Sequence, residues 1–350
     1  MFDRISFVQR IEDLPSKLQK GSYLLLIAEE TPFLEIPKRE GVEVCGAIFP
    51  HVIFKGKAYA SGIIVARLSP SSSFQIVEMD TSHQLCPATD TNSVLAIVDG
   101  FSSQIDDFLE EFYSHLNEKT KLIGGGAGKT SLLQEPILFD MHRFYMNAAI
   151  IITSTSSIGI GVKHGWKPLI GPFIATECNG NVLEKINFKD AFSVYKESVE
   201  KESNLCFENT PFFKISQRYP LGVVRYNKDF IVREPVSTNG NHLTLVGKID
   251  CNSVLSILKG EEENLLQAAK EAAEISYADK EDQTVHSIFL VDCISRHSLL
   301  DKSFKKELKA ISTVYPEKTV FWGVISLGEI ANDNQEGIAF YNNTCVVGTF

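Results

Sequence analysis

The chain has 350 residues, with 34 basic and 44 acidic side chains and a formal net charge of −10. That length is about twice the usual domain size, so we expect roughly two domains, each able to bury a core. No run of five or more Lys and Arg residues gives the positive surface that nucleic acid or an anionic membrane binds. Neither partner is therefore expected.

The targeting and cysteine signals favour the cytoplasm. The first residues, MFDRISFVQRIEDLPSK, are charged throughout, and no apolar run in the chain reaches the length of a membrane span. Seven cysteines are widely spread without a C-x-x-C pair: Cys45, Cys86, Cys178, Cys206, Cys251, Cys293 and Cys345. This pattern predicts reduced thiols, most of them small core residues, rather than a zinc site or a disulfide framework.

Apolar runs separated by Gly, Pro and Ser predict strands in the first half of the chain, at 23–28, 62–68, 74–79, 93–99, 136–140, 147–155, 157–165 and 172–177. Helices are predicted over 102–116, where an apolar face recurs at helical spacing, and over 190–200. The Asn-Gly-Asn at 179–181 predicts a hairpin turn.

The second half repeats this layout, with strands predicted at 221–225, 229–233, 243–249, 286–296, 320–330 and 344–350 and helices at 260–275 and 304–311. The most polar connection lies near 200–215, so we place two domains at 1–205 and 206–350. The fold class predicted is α+β, with two domains whose mixed or largely antiparallel sheets are packed by helices.

The segment IGGGAGKTS at 123–131 resembles the phosphate-binding G-x-x-x-x-G-K-[ST] loop. Ile123 occupies the position of the first glycine, however, and Pro136 follows too soon for the helix that such a loop requires. We therefore predict a tight glycine turn in which backbone, or a bound metabolite, approaches closely. A nucleotide-binding loop using Lys129 is the alternative.

Three further groups could line a pocket. In His164-Gly165-Trp166 an imidazole and an indole flank a glycine, which suits a small-molecule site, although Trp166 could instead fill the core. Cys293 and Arg296 end an apolar strand, where the arginine could fork onto a carboxylate. Glu329 could pair with Arg296, receive an amino group or face solvent.

These motifs resemble the FIST family, which joins a FIST N domain to a FIST C domain. The resemblance rests on the glycine run 124–128, HGW-x-P within 161–195, YPLGVV at 219–224, C-x-x-R within DCISRHSLL at 292–300, and G-E-I within 326–344. The chain departs from the family at Lys129, where an acidic residue is usual, and in the segment 44–56, which lacks the usual Ser-Thr and Glu.

The resemblance implies a non-enzymatic sensory protein of signal transduction that binds a small polar metabolite, such as an amino acid, and reports to a partner such as a histidine kinase. The expected ligand-binding residues are Gly125, Gly126, His164, Gly165, Trp166, Cys293, Arg296 and Glu329. No cofactor or metal is expected. The alternatives are a haem-binding nitric-oxide sensor with His164 as axial ligand, and an enzyme with Cys293 as nucleophile beside His297.

Overall fold

A computed structural model of the chain describes residues 1–32, 36, 38–80, 85, 87–225, 229–280, 284–333 and 337–350, with the backbone alone described at 333. Cys86 lies outside these residues. The described chain forms six α-helices and four sheets, which confirms the predicted α+β class. None of the described helices has the length and apolar character that crossing a bilayer requires.

The first sheet is mixed and has six strands. In spatial order they are β1 (Phe2–Val8), β6 (Ile63–Leu68), β2 (Gly21–Ala28), β3 (Val42–Phe49), β10 (Leu138–Asp140) and β11 (Phe144–Tyr145). Strands β2 and β3 are parallel, and the other neighbours are antiparallel. A 3₁₀ helix, Ile11–Ser16, joins β1 to β2.

The second sheet has the same arrangement. Its strands, in spatial order, are β7 (Ser72–Glu78), β12 (Ala148–Ser154), β8 (Ser93–Asp99), β9 (Lys121–Ala127), β24 (Glu329–Asp333) and β25 (Gly337–Tyr341). Strands β8 and β9 are parallel and are joined by helix α1 (Ile105–Ser114), whose buried face packs on this sheet.

The third sheet repeats the arrangement again. Its strands are β13 (Gly159–Lys163), β26 (Cys345–Thr349), β22 (Ser287–Cys293), β23 (Val320–Ser326), β4 (His51–Phe54) and β5 (Lys57–Tyr59). Strands β22 and β23 are parallel and are joined through α5 (Ile294–Leu300), a 3₁₀ turn at Asp301–Ser303 and α6 (Phe304–Ser312).

The three sheets are related by an exchange of hairpins. The hairpin β4–β5 follows β3 in the chain but pairs with β23 of the third sheet. Likewise β24–β25 follows β23 and pairs with β9, and β10–β11 follows β9 and pairs with β3. Strands β3, β9 and β23 also contact one another. The core therefore consists of three repeats, and each repeat contributes its hairpin to the sheet of another repeat. The first repeat adds its hairpin to the third sheet, the third repeat to the second sheet and the second repeat to the first sheet.

One glycine recurs at the same position in each repeat. Gly46, Gly124 and Gly323 lie opposite Leu25, Ala96 and Leu290 in the three parallel strand pairs. A Cβ atom at these glycines would lie 2.5, 1.9 and 2.2 Å from the carbonyl oxygens of those partners. Because non-bonded atoms cannot approach so closely, each repeat requires glycine at this position.

A fourth, antiparallel sheet is inserted into the third repeat between β13 and β22. Its strands, in spatial order, are β18 (Phe230–Arg233), β17 (Leu221–Val224), β21 (Val254–Lys259), β14 (Lys167–Asn179), β15 (Val182–Ile186), β20 (Leu243–Leu245) and β19 (Pro235–Thr238), with β16 (Lys189–Asp190) beside β15. Helices α2 (Ala191–Glu202) and α3 (Phe212–Ser216) cover its apolar face, and α4 (Glu262–Ala278) leads back to the third sheet.

Three local predictions were wrong. The segment IGGGAGKTS is not a turn, because 121–127 forms the buried strand β9 between β8 and β24. The strand predicted over 286–296 ends at Cys293, so Arg296 lies on helix α5. The strand predicted over 320–330 is two strands in different sheets, because Gly328 adopts φ 102° between them. The predicted domain boundary at residue 205 stays a prediction.

Candidate functional site

A cleft of about 330 Å³ opens between strand β13, helix α4, the β17–β18 hairpin and the ends of β24 and β25. The fourth sheet meets the threefold core here. Its lining combines charged, polar and apolar side chains: Lys121, Lys163, Arg225, Asp229 and Asp279; His164, Asn332, Tyr341 and Thr344; Ile160, Val162, Phe230 and Ile275.

Strand β13 forms one wall of the cleft because two glycines allow α4 to pack directly on its backbone. A Cβ atom at Gly159 would lie 2.0 Å from the carbonyl oxygen of Ser276, and one at Gly161 would lie 1.9 Å from that of Ala272. Since side chains alternate along a strand, the opposite face carries Ile160 and Val162, which line the cleft.

The charges in the cleft are unequal. At one end the Lys121 ammonium lies 2.9 Å from the Asp279 carboxylate, which also accepts the backbone N–H of Ile160 at 2.8 Å. Arg225 donates to the Tyr341 hydroxyl at 3.3 Å. Among the described residues that line the cleft, three cations face two carboxylates. The cleft is therefore biased towards an anionic group.

His164 and Asp229 are hydrogen-bonded at the other end of the cleft. The imidazole Nε2 lies 3.0 Å from a carboxylate oxygen of Asp229, and the Nδ1 accepts the backbone N–H of Trp166 at 3.0 Å. Because Nδ1 is an acceptor, Nε2 is the nitrogen that carries a proton and donates to Asp229. This hydrogen bond lowers the pKa of Asp229 to about 2, so the carboxylate stays charged.

The hydrogen bonds of His164 also decide whether it could be an axial ligand of haem iron. An axial histidine needs a ring nitrogen with a free lone pair, and both nitrogens of His164 are engaged by protein groups. Coordination through Nε2 would require Asp229 to be displaced. The arrangement of His164 in the described residues does not fit an axial ligand.

Gly165 and Trp166 pack behind the cleft and are not among the residues that line it. Gly165 adopts φ 78°, and a Cβ atom there would lie 2.6 Å from the carbonyl oxygen of Asn264 on α4. Trp166 is 2% exposed and donates through Nε1 to the carbonyl oxygen of Asn343 at 3.0 Å. Trp166 therefore fills the core, as the alternative interpretation of this motif had it, while its ligand role stays a prediction.

Arg296 is fully buried directly beneath His164. Its guanidinium forks onto the Glu307 carboxylate with contacts of 3.1 and 3.0 Å, and Asp292 lies 3.5 Å away. Its remaining donors reach the carbonyl oxygens of His164 at 2.7 Å and Leu265 at 2.5 Å. Arg296 thus makes the predicted bidentate contact with a carboxylate, but that carboxylate belongs to Glu307 of this chain rather than to a ligand. Arg296 fixes the backbone that presents His164 to the cleft.

Glu329 and Cys293 lie in the buried layer behind the cleft. Glu329 accepts the Ser326 hydroxyl at 2.9 Å and the backbone N–H of Thr344 at 3.1 Å. Burial raises the pKa of Glu329 to about 8 and the pKa of Cys293 well above its usual value. The raised pKa favours the protonated acid at neutral pH, and the hydrogen bond from Thr344 ties this lining residue to the buried layer. A buried thiol with a raised pKa is not an activated nucleophile.

Gly125 and Gly126 lie in β9, directly behind Glu329, with which Gly125 is paired. A Cβ atom at Gly125 would lie 2.6 Å from Val291, and one at Gly126 would lie 2.5 Å from the carbonyl oxygen of Leu327. The glycines therefore allow protein groups to approach closely. Of the eight predicted ligand-binding residues, His164 is among the residues lining the cleft. For all eight, contact with a ligand stays a prediction.

Comparison with known families is consistent with this architecture. The FIST N domain model matches residues 37–189, and the FIST C domain model matches residues 191–332. The chain belongs to the FIST family. A search of curated proteins returns no relative of it. Membership in the FIST family implies sensing of a small ligand in signal transduction, with the ligand unidentified.

In this FIST protein the cleft contains residues that the sequence did not single out. Asp229, Lys163 and Tyr341 were not singled out, although Lys163 and Tyr341 lie within the segments 161–195 and 326–344 that carry the family resemblance. The sequence offers a partial signal for Arg225, because Arg225 and Arg233 are two arginines in the second half of the chain that could contact an anion. Arg225 lines the cleft, whereas Arg233 is buried and donates to backbone carbonyls.

Proposed function

We propose that this FIST protein is a non-enzymatic sensor that binds a small metabolite with a carboxylate group, an amino acid being the leading candidate, in the cleft beside His164. The observation that carries the proposal is the excess of cationic groups over carboxylates among the described residues of the lining. Arg225 and Lys163 are the groups we assign to the ligand carboxylate, because guanidinium and ammonium groups bind carboxylates strongly.

Asp229 supports the choice of an amino acid. Its pKa is lowered to about 2, so it presents a negative charge that can accept a ligand ammonium group while His164 holds its other side. Ile160, Val162, Phe230 and Ile275 offer apolar surface for a side chain. The cleft volume of about 330 Å³ falls at the lower end of the range for small-molecule sites.

The cleft also suggests how binding is reported. Arg225 and Asp229 belong to the β17–β18 hairpin of the fourth sheet, whereas Lys163 ends β13 of the core and His164 follows it. A ligand that contacts both the β17–β18 hairpin and the end of β13 favours conformations in which these two elements lie close together. This shift in the population of conformations is the signal. We assign the output to a separate signalling protein, such as a histidine kinase, in the cytoplasm.

A ligand panel tests the proposal. The chain is melted with each of the common amino acids and with simple dicarboxylates at millimolar concentration. A bound ligand raises the melting temperature, because it stabilises the folded state by about 2.7 kcal/mol at a hundred times its Kd. Lys163→Ala should reduce the rise and the exposed Lys318→Ala should not. If no ligand in the panel moves the melting temperature, the proposal fails.

Haem addition is the companion experiment. The engagement of both His164 nitrogens leads us to expect no Soret shift. A haem spectrum that weakens in His164→Ala would replace the metabolite proposal with the gas-sensor alternative.

A further inference from the structure

Two cysteines face each other on the fourth sheet. The turn 250–253 runs antiparallel to the end of β14, because Ala175 donates to Ser253 at 3.0 Å, Asn252 donates to Ala175 at 2.7 Å and Ile249 donates to Gly180 at 3.1 Å. Between these contacts Cys251 lies beside Cys178, and its thiol is 3.8 Å from the Cys178 carbonyl oxygen.

This geometry suits a disulfide. The Cys251 thiol already lies against the backbone of Cys178, so a small rotation of the two side chains suffices to bring their sulfurs together. The two thiols are also close enough for Cys251 to contribute to the raised pKa of Cys178. Both can be reached from solvent, since Cys251 is exposed and Cys178 is half-buried, whereas Cys45, Cys293 and Cys345 are buried.

We infer that Cys178 and Cys251 form a redox-active dithiol, a modification site that takes small disulfides as oxidant and gives the sensor a second input, separate from the cleft. The more exposed Cys251 attacks first. Its thiolate displaces one thiol from the small disulfide and forms a mixed disulfide. The Cys178 thiol then loses its proton to solvent and attacks the Cys251 sulfur, which releases the second thiol. Two protein thiols are oxidised and one small disulfide is reduced to two thiols.

The order of attack follows from the surroundings of the two thiols. Burial, followed by the hydrogen bond from Cys251, raises the pKa of Cys178 to about 12, so its thiolate is scarce. Cys178 becomes reactive when the mixed disulfide places a sulfur directly opposite it. The cross-link would close a loop from residue 178 to residue 251, which contains most of the fourth sheet and helices α2 and α3.

The test uses the full chain and oxidised glutathione. The protein is oxidised, free thiols are blocked in acid, and peptides are identified by mass spectrometry. We expect a reversible Cys178–Cys251 cross-link and a higher melting temperature, because a closed loop restricts the unfolded chain. Both effects should vanish in Cys251→Ser and persist in Cys206→Ser, which removes the other half-buried thiol among the described cysteines.

Cys178→Ser provides the mechanistic control. It should accumulate the glutathione adduct on Cys251, since the resolving thiol is missing. If the folded wild-type chain retains a mixed disulfide at Cys251, or links neither cysteine under conditions that oxidise Cys206, the inference is overturned.

Discussion

The guanidinium of Arg296 donates to the carbonyl oxygen of His164 at 2.7 Å, so a fully buried ion pair positions a side chain that lines the cleft. Arg296→Ala leaves the carboxylates of Glu307 and Asp292 buried without their cation. We expect a loss of about 3–5 kcal/mol in the free energy of unfolding, measured by urea denaturation. The exposed pair Lys306–Glu262 is the control, and Lys306→Ala should cost at most about 1 kcal/mol. Equal losses would contradict a positioning role for Arg296.

The glycine that recurs in the three repeats predicts that two glycine-to-alanine substitutions differ strongly in their effect on stability. Gly124→Ala places a methyl group 1.9 Å from the Ala96 carbonyl oxygen, so we expect a loss of more than about 3 kcal/mol or failure to fold. Gly240→Ala meets no atom within 4 Å and carries a conformational cost of about 1 kcal/mol from its φ of 97°. Expression level and melting temperature distinguish the two. A Gly124→Ala chain as stable as Gly240→Ala would show that close approach is not the reason for the glycine.

Glu329 predicts a pH dependence. Its folded-state pKa of about 8 exceeds the unfolded value, so the folded chain keeps a proton that the unfolded chain loses. The stability contribution is fully present below about pH 4.5 and falls by about 1.4 kcal/mol per pH unit as the pH rises towards 8. Glu329→Gln mimics the protonated acid and should flatten this fall in denaturation curves from pH 5 to 8. Part of the slope should remain, because burial raises the pKa of Glu234 to about 7. An unchanged slope would mean that Glu329 is ionised in the folded chain.

Lys129 tests the resemblance to a phosphate-binding loop. Its ammonium lies 2.9 Å from Glu135, and the glycines before it are paired in a buried strand, so their N–H groups are not presented to a phosphate. We expect no magnesium-dependent binding of ATP by calorimetry, and Lys129→Ala should change the stability by at most about 1 kcal/mol. Saturable ATP binding that the substitution abolishes would restore the nucleotide-binding alternative.

The sequence was sufficient to predict the fold class and most elements, because apolar runs and helical faces are local signals. It could not show the hairpin exchange, since the pairing of β4 with β23 joins residues far apart in the chain. The glycine run was mistaken for a turn because glycine serves turns and close backbone contacts equally. The recurrence of Gly46, Gly124 and Gly323, each after an apolar run and within a strand, was the available signal for the repeats.

The sequence predicted a site residue where a motif contained it and gave no signal for residues outside the motifs. His164 stood out because it belongs to HGW-x-P. Its partner Asp229 is separated from it by 65 positions, and tertiary packing alone brings them together. Arg296 was recognised as a carboxylate-binding group, but the choice between a ligand and Glu307 depended on where helix α6 packs.

The central claim is that the cleft beside His164 binds a carboxylate-bearing metabolite. Its most direct test is calorimetric titration of the stabilising metabolite into the wild-type chain, Arg225→Ala and the surface control Arg10→Ala. Loss of a charge-assisted hydrogen bond costs about 1.5–3 kcal/mol, so we predict that Arg225→Ala weakens binding by roughly 10–150-fold while Arg10→Ala leaves it unchanged. Equal affinity in all three folded proteins would contradict the claim.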